Sequence, residues 1–367
     1  MLANNKPQFK SWVSVSALLG FAALLLYMYF FGNLGQIAGA LAKTSLPIYF
    51  LAFVCVIGSA VFNSLAWKEI LSKLSVKSTF RRVFTLSWVG TFVDAIVPGG
   101  WSGDIFKGYL LAKDKGADGA KTAASIIIKN IFELLVTLAA LITGTILLAL
   151  NYALDSSVII AIGAMMVLLS LPLIIALYVS LNANRSKRLL GLVHRFMRLI
   201  KGKQADTAEA DSKLRNTLTD FHDGIMIMKT NAKGMLKPAL YQTIAWAFDI
   251  TVLFLIFASI GYIISPDKII ITNEIVVNLQ VQGFAMAGFA QVASSTIYTI
   301  LGITPLISMT SSLLAAFPTF WFKIAISFVM FQVIVFERAI PFMSSKTAGL
   351  KPKPLPRDIV LLAPEET

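Results

Sequence analysis

Long uninterrupted apolar runs, rather than alternating faces, organise this chain. A helix crossing a bilayer core needs about 20 apolar residues, and five segments reach that length: 12–31, 47–67, 123–150, 158–181 and 238–264. A sixth, 318–336, is slightly short and carries Lys323 as its only charge. The first run follows Lys6 and Lys10, as a signal peptide would. Its apolar stretch is too long for one and no small-residue cleavage site follows, so it reads as a retained signal-anchor helix. Two further stretches fit poorly as spans. Residues 83–97 are short and run into Pro98-Gly99-Gly100. Residues 275–317 are interrupted by Gly283, Gly288, Gly302 and Pro305 and contain Gln280, Gln282 and Gln291. Such interruptions are tolerated at membrane depth only where protein covers the backbone or a cavity is lined, so both predict re-entrant or broken helices.

Composition agrees with this pattern. The 367 residues are 57% hydrophobic and 14% charged, beyond what one aqueous core can hide. The fold class expected is therefore an all-α polytopic membrane protein with about six full spans and two re-entrant or broken segments. A single cysteine, Cys55, excludes an intrachain disulfide. The net charge of +13 would admit a nucleic-acid or anionic partner, but the positions of the charges decide otherwise. Of the 32 Lys and Arg residues, 28 fall in segments that six spans place on one side of the membrane. By the positive-inside rule that side is cytoplasmic and holds both termini, in the plasma membrane. Lys43 and Lys268 fall in outside loops, and Lys129 and Lys323 lie inside apolar segments. No nucleic-acid partner is expected, because the basic segments lack aromatic interleaving.

The spans also repeat. A long span, a broken stretch and a second long span occur twice with opposite sense. The flanking helix starts are 76 residues apart in one half (47 to 123) and 80 in the other (238 to 318). Inverted repeats with interrupted helices are a transporter signature, with the site at the repeat interface. Chance similarity of hydropathy is the alternative. The chain then divides into an N-terminal membrane half (1–181), a linker (182–237), a C-terminal membrane half (238–340) and a proline-rich tail (341–367), extended or disordered from residue 337 on. In the linker, Leu214, Leu218, Phe221, Ile225 and Met228 share one helix face, and residues 189–200 intersperse apolar pairs with arginines. Both predict amphipathic helices lying on the anionic inner leaflet.

Ionisable groups at membrane depth are functional candidates. Lys129 and Lys323 occupy equivalent helices, where each could meet a phosphate crossing between leaflets. Lys129 has Glu133 one turn on as a neutralising neighbour, whereas Thr319 and Ser327 occupy the i±4 positions of Lys323. From Asp94 to Gly108 the chain offers bare backbone at Gly99 and Gly100. A helix start follows at Ser102 or Asp104, with Lys107 one turn in, and helix N-termini hold phosphate readily. A plain capped turn is the alternative. Asp249, near Trp246 and Gln242, pairs with a lysine or serves as a proton-coupling carboxylate. Asn63, Trp67 and Gln291 are polar lining or inter-helix glue. No catalytic, metal-binding or ATPase motif is present, so no metal, cofactor or catalytic residue is expected.

The segment Asp94–Gly108, followed by Lys129-Asn130-Ile-Phe-Glu133, resembles the transmembrane region of lysylphosphatidylglycerol synthase, the flippase domain of the multiple peptide resistance factor. Gly103-Asp104-Ile-Phe-Lys107 matches that family's Gly-acidic-x-x-basic pattern. Lys129-Asn130 stands where Glu-Arg is usual, and Glu133 matches the downstream acid. In the second half Gln291 replaces a glutamate, which removes a proton-coupled role at that point, and Phe322 precedes Lys323. The resemblance covers roughly 42–336 and implies movement of phospholipids, aminoacyl-phospholipids or lipid-linked sugars between leaflets. The family's soluble aminoacyl-transferase domain is absent from this chain.

The leading expectation is a lipid translocase whose partners are membrane lipids with phosphate-bearing headgroups, a homodimer being compatible with it. Headgroup contacts are expected from Lys129, Lys323, Lys107, Asp94, Gly99, Gly100, Ser102, Asp104, Asn130, Glu133, Asp249 and Gln291. The alternatives are a membrane-embedded enzyme subunit acting on lipid-linked sugars and a secondary transporter of a small anion.

Overall fold

The computed structural model describes residues 34–96, 102–114, 117–151, 232–280 and 288–347, with isolated positions at 160, 163, 164, 167 and 226. Among the described residues all regular structure is helical. In chain order the helices are α1 (Leu34–Ala42), α2 (Leu46–Lys73), α3 (Phe80–Ile96), α4 (Ser102–Ala112) and α5 (Gly119–Asn151). Then come α6 (Ala232–Ser259), α7 (Pro266–Leu279), α8 (Phe289–Ile300), α9 (Pro305–Ala316), a π-helical turn (Phe317–Trp321) and α10 (Phe322–Thr347). The expected spans at 12–31 and 158–181, the linker helices, the turn at 98–101 and the chain beyond Thr347 lie outside the described residues.

Four helices are long and apolar enough to cross a membrane: Leu46–Lys73, Gly119–Asn151, Lys233–Ser259 and Pro305–Phe336. The last corrects the expected short span at 318–336, because α9, the π turn and α10 run on without a gap. Pro305 does not break a helix here. It occupies the first turn of α9, where its fixed φ and missing N–H cost nothing. Pro47 and Pro266 start α2 and α7 in the same way. The true break lies just before, where Gly302 adopts φ +82°. Pro318 sits inside the π turn, the kind of local irregularity that accommodates a proline without ending the helix. The tail expected to be extended from residue 337 remains helical through Pro341 to Thr347, since an internal proline removes one hydrogen bond without forbidding continuation.

The longest interface joins α2 to α6. Gly58 lets the helices approach closely, because a Cβ there would lie 2.9 Å from the Phe248 ring. Phe62 stacks on the same ring at 5.7 Å. The flanking helices cross-pack: α10 lies against α3 through Phe92 and Phe331 (5.0 Å between rings), and α5 lies against α7 where Gly144 meets Ile270 and Ile271. Helices α3 and α4 form a tight hairpin. Arg82 clamps Asp114 with two 2.8 Å hydrogen bonds at its open end, and Gly103 abuts the Gly90 carbonyl.

That contact yields a prediction. Gly103→Ala drives a Cβ into the Gly90 carbonyl and the Asp94 carboxylate and destabilises the protein by about 1–3 kcal/mol. Gly39→Ala, with open space around the new methyl, leaves stability unchanged or raised. Thermal unfolding of the two variants in detergent distinguishes them, and equal midpoints would contradict the packing described.

Candidate functional site

Between the two sets of helices lies a cavity of about 550 Å³, walled by residues of α2 through α10. Its ionisable lining comprises Asp94 and Asp104, Lys107, Lys129 and Glu133 from the first half, and Asp249, Glu274 and Lys323 from the second. Asn130, Gln291 and Asn63 also line it. Ser102 supports it from below through Asp94, and Gly99 and Gly100 lie outside the described residues. The sequence candidates that α3, α4, α5, α6, α8 and α10 carry are thus brought to one place.

In the first half the charges form a closed network. Asp94 ends α3 by accepting the Gly103 N–H (2.7 Å) and the Ser102 hydroxyl (2.9 Å) at the start of α4. The Gly103 N–H at this helix start is thus met by the Asp94 carboxylate, which satisfies one of the free donors and complements the helix dipole. One turn on, Asp104 pairs with Lys107 through one oxygen and accepts the Asn130 amide (2.7 Å) through the other. Lys107 is buried, with its ammonium 4.9 Å from the centre of the Trp67 ring. Trp67 is accordingly a packed platform rather than lining, and its indole N–H donates to Ser125 at 2.9 Å. Lys129, equally buried, donates to Glu133 at 2.8 Å, the i,i+4 pair visible in the sequence. Each of the two buried lysines has a carboxylate partner, as a low-dielectric site demands.

The second half is looser. Lys323 faces Asp249 across the α6–α10 boundary at 4.0 Å, a partner supplied by tertiary contact where the helix itself offers none. Their side chains stay 33% and 40% exposed, so both look into the cavity. Gln291 lines the wall but is committed to structure, because its Oε1 accepts the Gly288 N–H (3.0 Å) and caps α8, with Gly288 at φ +93°. Glu274 on α7 is a site residue the sequence reading missed. It is 1% exposed and accepts the Trp246 indole N–H at 2.7 Å and the Asn273 amide at 3.1 Å. The sequence reading puts Lys268 in an outside loop and starts the broken stretch at residue 275, which leaves Glu274 between the two. The Ser265-Pro266-Asp267 start signal, followed by apolar residues, would have revealed a buried helix carrying a glutamate. Lys268 is likewise corrected: it is buried in the first turn of α7, not in an exposed loop.

Five carboxylates thus face three lysines around one cavity. The arrangement suits polar recognition of both signs more than bond-breaking. Among the described residues no group of three or more His, Cys, Asp or Glu is placed to hold a metal ion.

Residues 14–327 match the sequence profile of the family described as the lysylphosphatidylglycerol synthase TM region. The chain is also similar to a UPF0104 membrane protein of Methanothermobacter thermautotrophicus, 24% identical over 263 residues that cover 70% of this chain and 73% of the relative. A second match to a UPF0104 membrane protein of that organism is 22% identical and covers 84% of this chain and 91% of the relative. A UPF0104 membrane protein of Methanocaldococcus jannaschii is 22% identical, covering 69% and 73%.

The ion pairs in the first half lead to a separable prediction. Asp104→Ala leaves the Lys107 ammonium buried without its carboxylate and costs about 3–5 kcal/mol. Adding Lys107→Met removes the stranded charge and restores much of the loss. A double-mutant cycle of unfolding midpoints in detergent measures this, and additive losses would exclude the pairing as the cause.

Proposed function

Since the chain belongs to the lysylphosphatidylglycerol synthase transmembrane-region family, an integral membrane family, we propose that it is a lipid translocase that carries a phospholipid or other lipid-linked headgroup between the leaflets of the plasma membrane. The observation that carries this reading is the charged cavity enclosed by membrane-length helices whose outer faces are apolar. Leu46, Phe50, Val54, Ile142, Ile146 and Phe336 are exposed on those outer faces, where acyl chains are the natural solvent. A headgroup can reside among the ion pairs while its tails remain in lipid.

The pairing narrows the substrate. Each cavity lysine already has a carboxylate, so a bare small anion would have to displace one and leave it stranded. A headgroup with both a phosphate and an amine can engage both members of a pair such as Lys323–Asp249. The cross-packing of α3 on α10 and α5 on α7, around the central α2–α6 contact, supports an inverted repeat. Lys129 and Lys323 would then serve opposite leaflets, and the basic excess would hold both termini in the cytoplasm.

The test is translocation of fluorescent-headgroup lipids in reconstituted vesicles. Wild-type protein is expected to accelerate exchange over empty vesicles. Lys323→Ala should slow it by about tenfold or more, the equivalent of one charge-assisted hydrogen bond of about 1.5–3 kcal/mol. Equal rates for empty vesicles, wild type and the variant would sink the reading.

A further inference from the structure

The lysine pairings leave a remainder. Asp104 meets Lys107, Glu133 meets Lys129 and Asp249 meets Lys323, whereas neither Asp94 nor Glu274 forms an ion pair among the described residues. Asp94 is explained by the start of α4, which it caps. Glu274 has no such explanation. Buried in the cavity wall, it is held by neutral donors, and the Trp246 and Asn273 bonds both converge on Oε1.

The groups around it are of the wrong sign for a fixed anion. Helix α6 presents Trp246 and, one turn on, Asp249, with Lys323 beyond that carboxylate. Helix α5 presents the Thr137 hydroxyl, within hydrogen-bonding reach, and Glu133. Helix α8 contributes Gln291 and the Tyr298 phenol, both uncharged, and on α7 itself Asp267 and Lys268 lie near the opposite end. An ionised carboxylate buried among neutral donors and flanked by other carboxylates is unfavourable, and binding a proton removes that penalty. Protonation also strands no donor. Trp246 and Asn273 can keep donating to Oε1, and a hydroxyl such as that of Thr137 accepts as readily as it donates. Both protonation states are thus compatible with the same wall. Exchange has a neighbour to pass through, because Asp249, three residues from Trp246 on α6, keeps 40% of its side chain open to the cavity.

We propose that Glu274 takes up one proton and releases it again in each transport cycle, coupling lipid movement to a proton gradient. The balance is one proton bound from one side of the membrane and one released to the other per lipid moved. This changes the formal charge of the cavity lining from −2 to −1 and back. The proposal rests on the translocase reading and goes beyond it by naming the coupling ion and its site.

The experiment uses the full chain in vesicles carrying a fluorescent-headgroup lipid, with a pH gradient imposed in either direction, with and without a protonophore. For one proton per lipid, a gradient of one pH unit shifts the steady-state leaflet ratio by up to about tenfold, reversing with the gradient and vanishing with the protonophore. Glu274→Gln, which keeps an acceptor for Trp246, should show no shift; its exchange without a gradient is measured beside it, and a variant that moves no lipid hands the decision to Glu274→Asp. Wild type that exchanges lipid with no response to the gradient overturns the proposal alone. So does a response to a sodium gradient instead, or a response that survives in Glu274→Gln. Wild type that moves no lipid at all overturns both this proposal and the translocase reading. If Glu274→Gln does not purify as a monodisperse protein, Glu274→Asp decides: a displaced pH midpoint of the response supports the site, and an unchanged midpoint overturns it.

Discussion

Everything in this molecule is arranged around the cost of an ionised side chain at membrane depth. A lysine or aspartate at the centre of a bilayer helix costs on the order of 3 kcal/mol or more even with relief from neighbours. A chain with eight such groups around one cavity must cancel nearly all of that. It does so with partners from two different distances: one helical turn for both Lys129–Glu133 and Asp104–Lys107, and two separate helices of the second half, α6 and α10, for Asp249–Lys323. The last pair can exist only if α6 and α10 are held together. The packing of Gly58 on Phe248 and of Phe62 on that ring, which brings α2 against α6, therefore also positions Asp249, the residue next to Phe248 in the chain.

What the sequence revealed follows the same division by distance. Lys129–Glu133 was legible because helical geometry alone brings i and i+4 together. The membrane-length helices were legible because length and apolarity are local properties, and three of the four were expected near their observed bounds, the fourth starting at Pro305 rather than at 318. Asp249 could be named as a candidate partner of a lysine, but its choice of Lys323 over Lys129 depended on which helices touch. The prolines misled for a physical reason. Pro305 reads equally well as an interruption or as a first-turn residue, and only the preceding Gly302 with its positive φ separates the two readings. Glu274 was hidden because a stretch with Asp267, Lys268 and Asn273 resembles a polar loop until tertiary packing buries it.

The start of α4 shows how part of the Asp94–Gly108 motif is built into the protein's own structure. Gly103 permits close backbone approach and sits hard against Gly90. The start of α4 is capped by the protein's own Asp94 carboxylate. With that end satisfied, Lys107 held by Asp104 and Trp67, and Arg82 clamped to Asp114, the first-half hairpin is fixed at both ends. Pre-organised charge of this kind suits recognition, because no side-chain ordering need accompany binding.

The second half has the complementary character. Its ion pair is 4.0 Å apart and partly exposed, and Lys323 lies two residues beyond the π turn, an irregularity that recurs at functional sites. A helix whose hydrogen-bond register changes at 317–321 can alter the direction of the segment after it by small local adjustments. Lys323 is in that segment, whereas Asp249 belongs to the regular α6. Motion at the π turn would therefore change the Lys323–Asp249 separation without disturbing the first-half network. A fixed charge set on one wall and a looser pair on the other would suit the translocase proposed above. Within the second half Gln291 is spent on a helix cap and Glu274 has no ion-pair partner among the described residues, so the proton site proposed above lies in the same half as the adjustable pair.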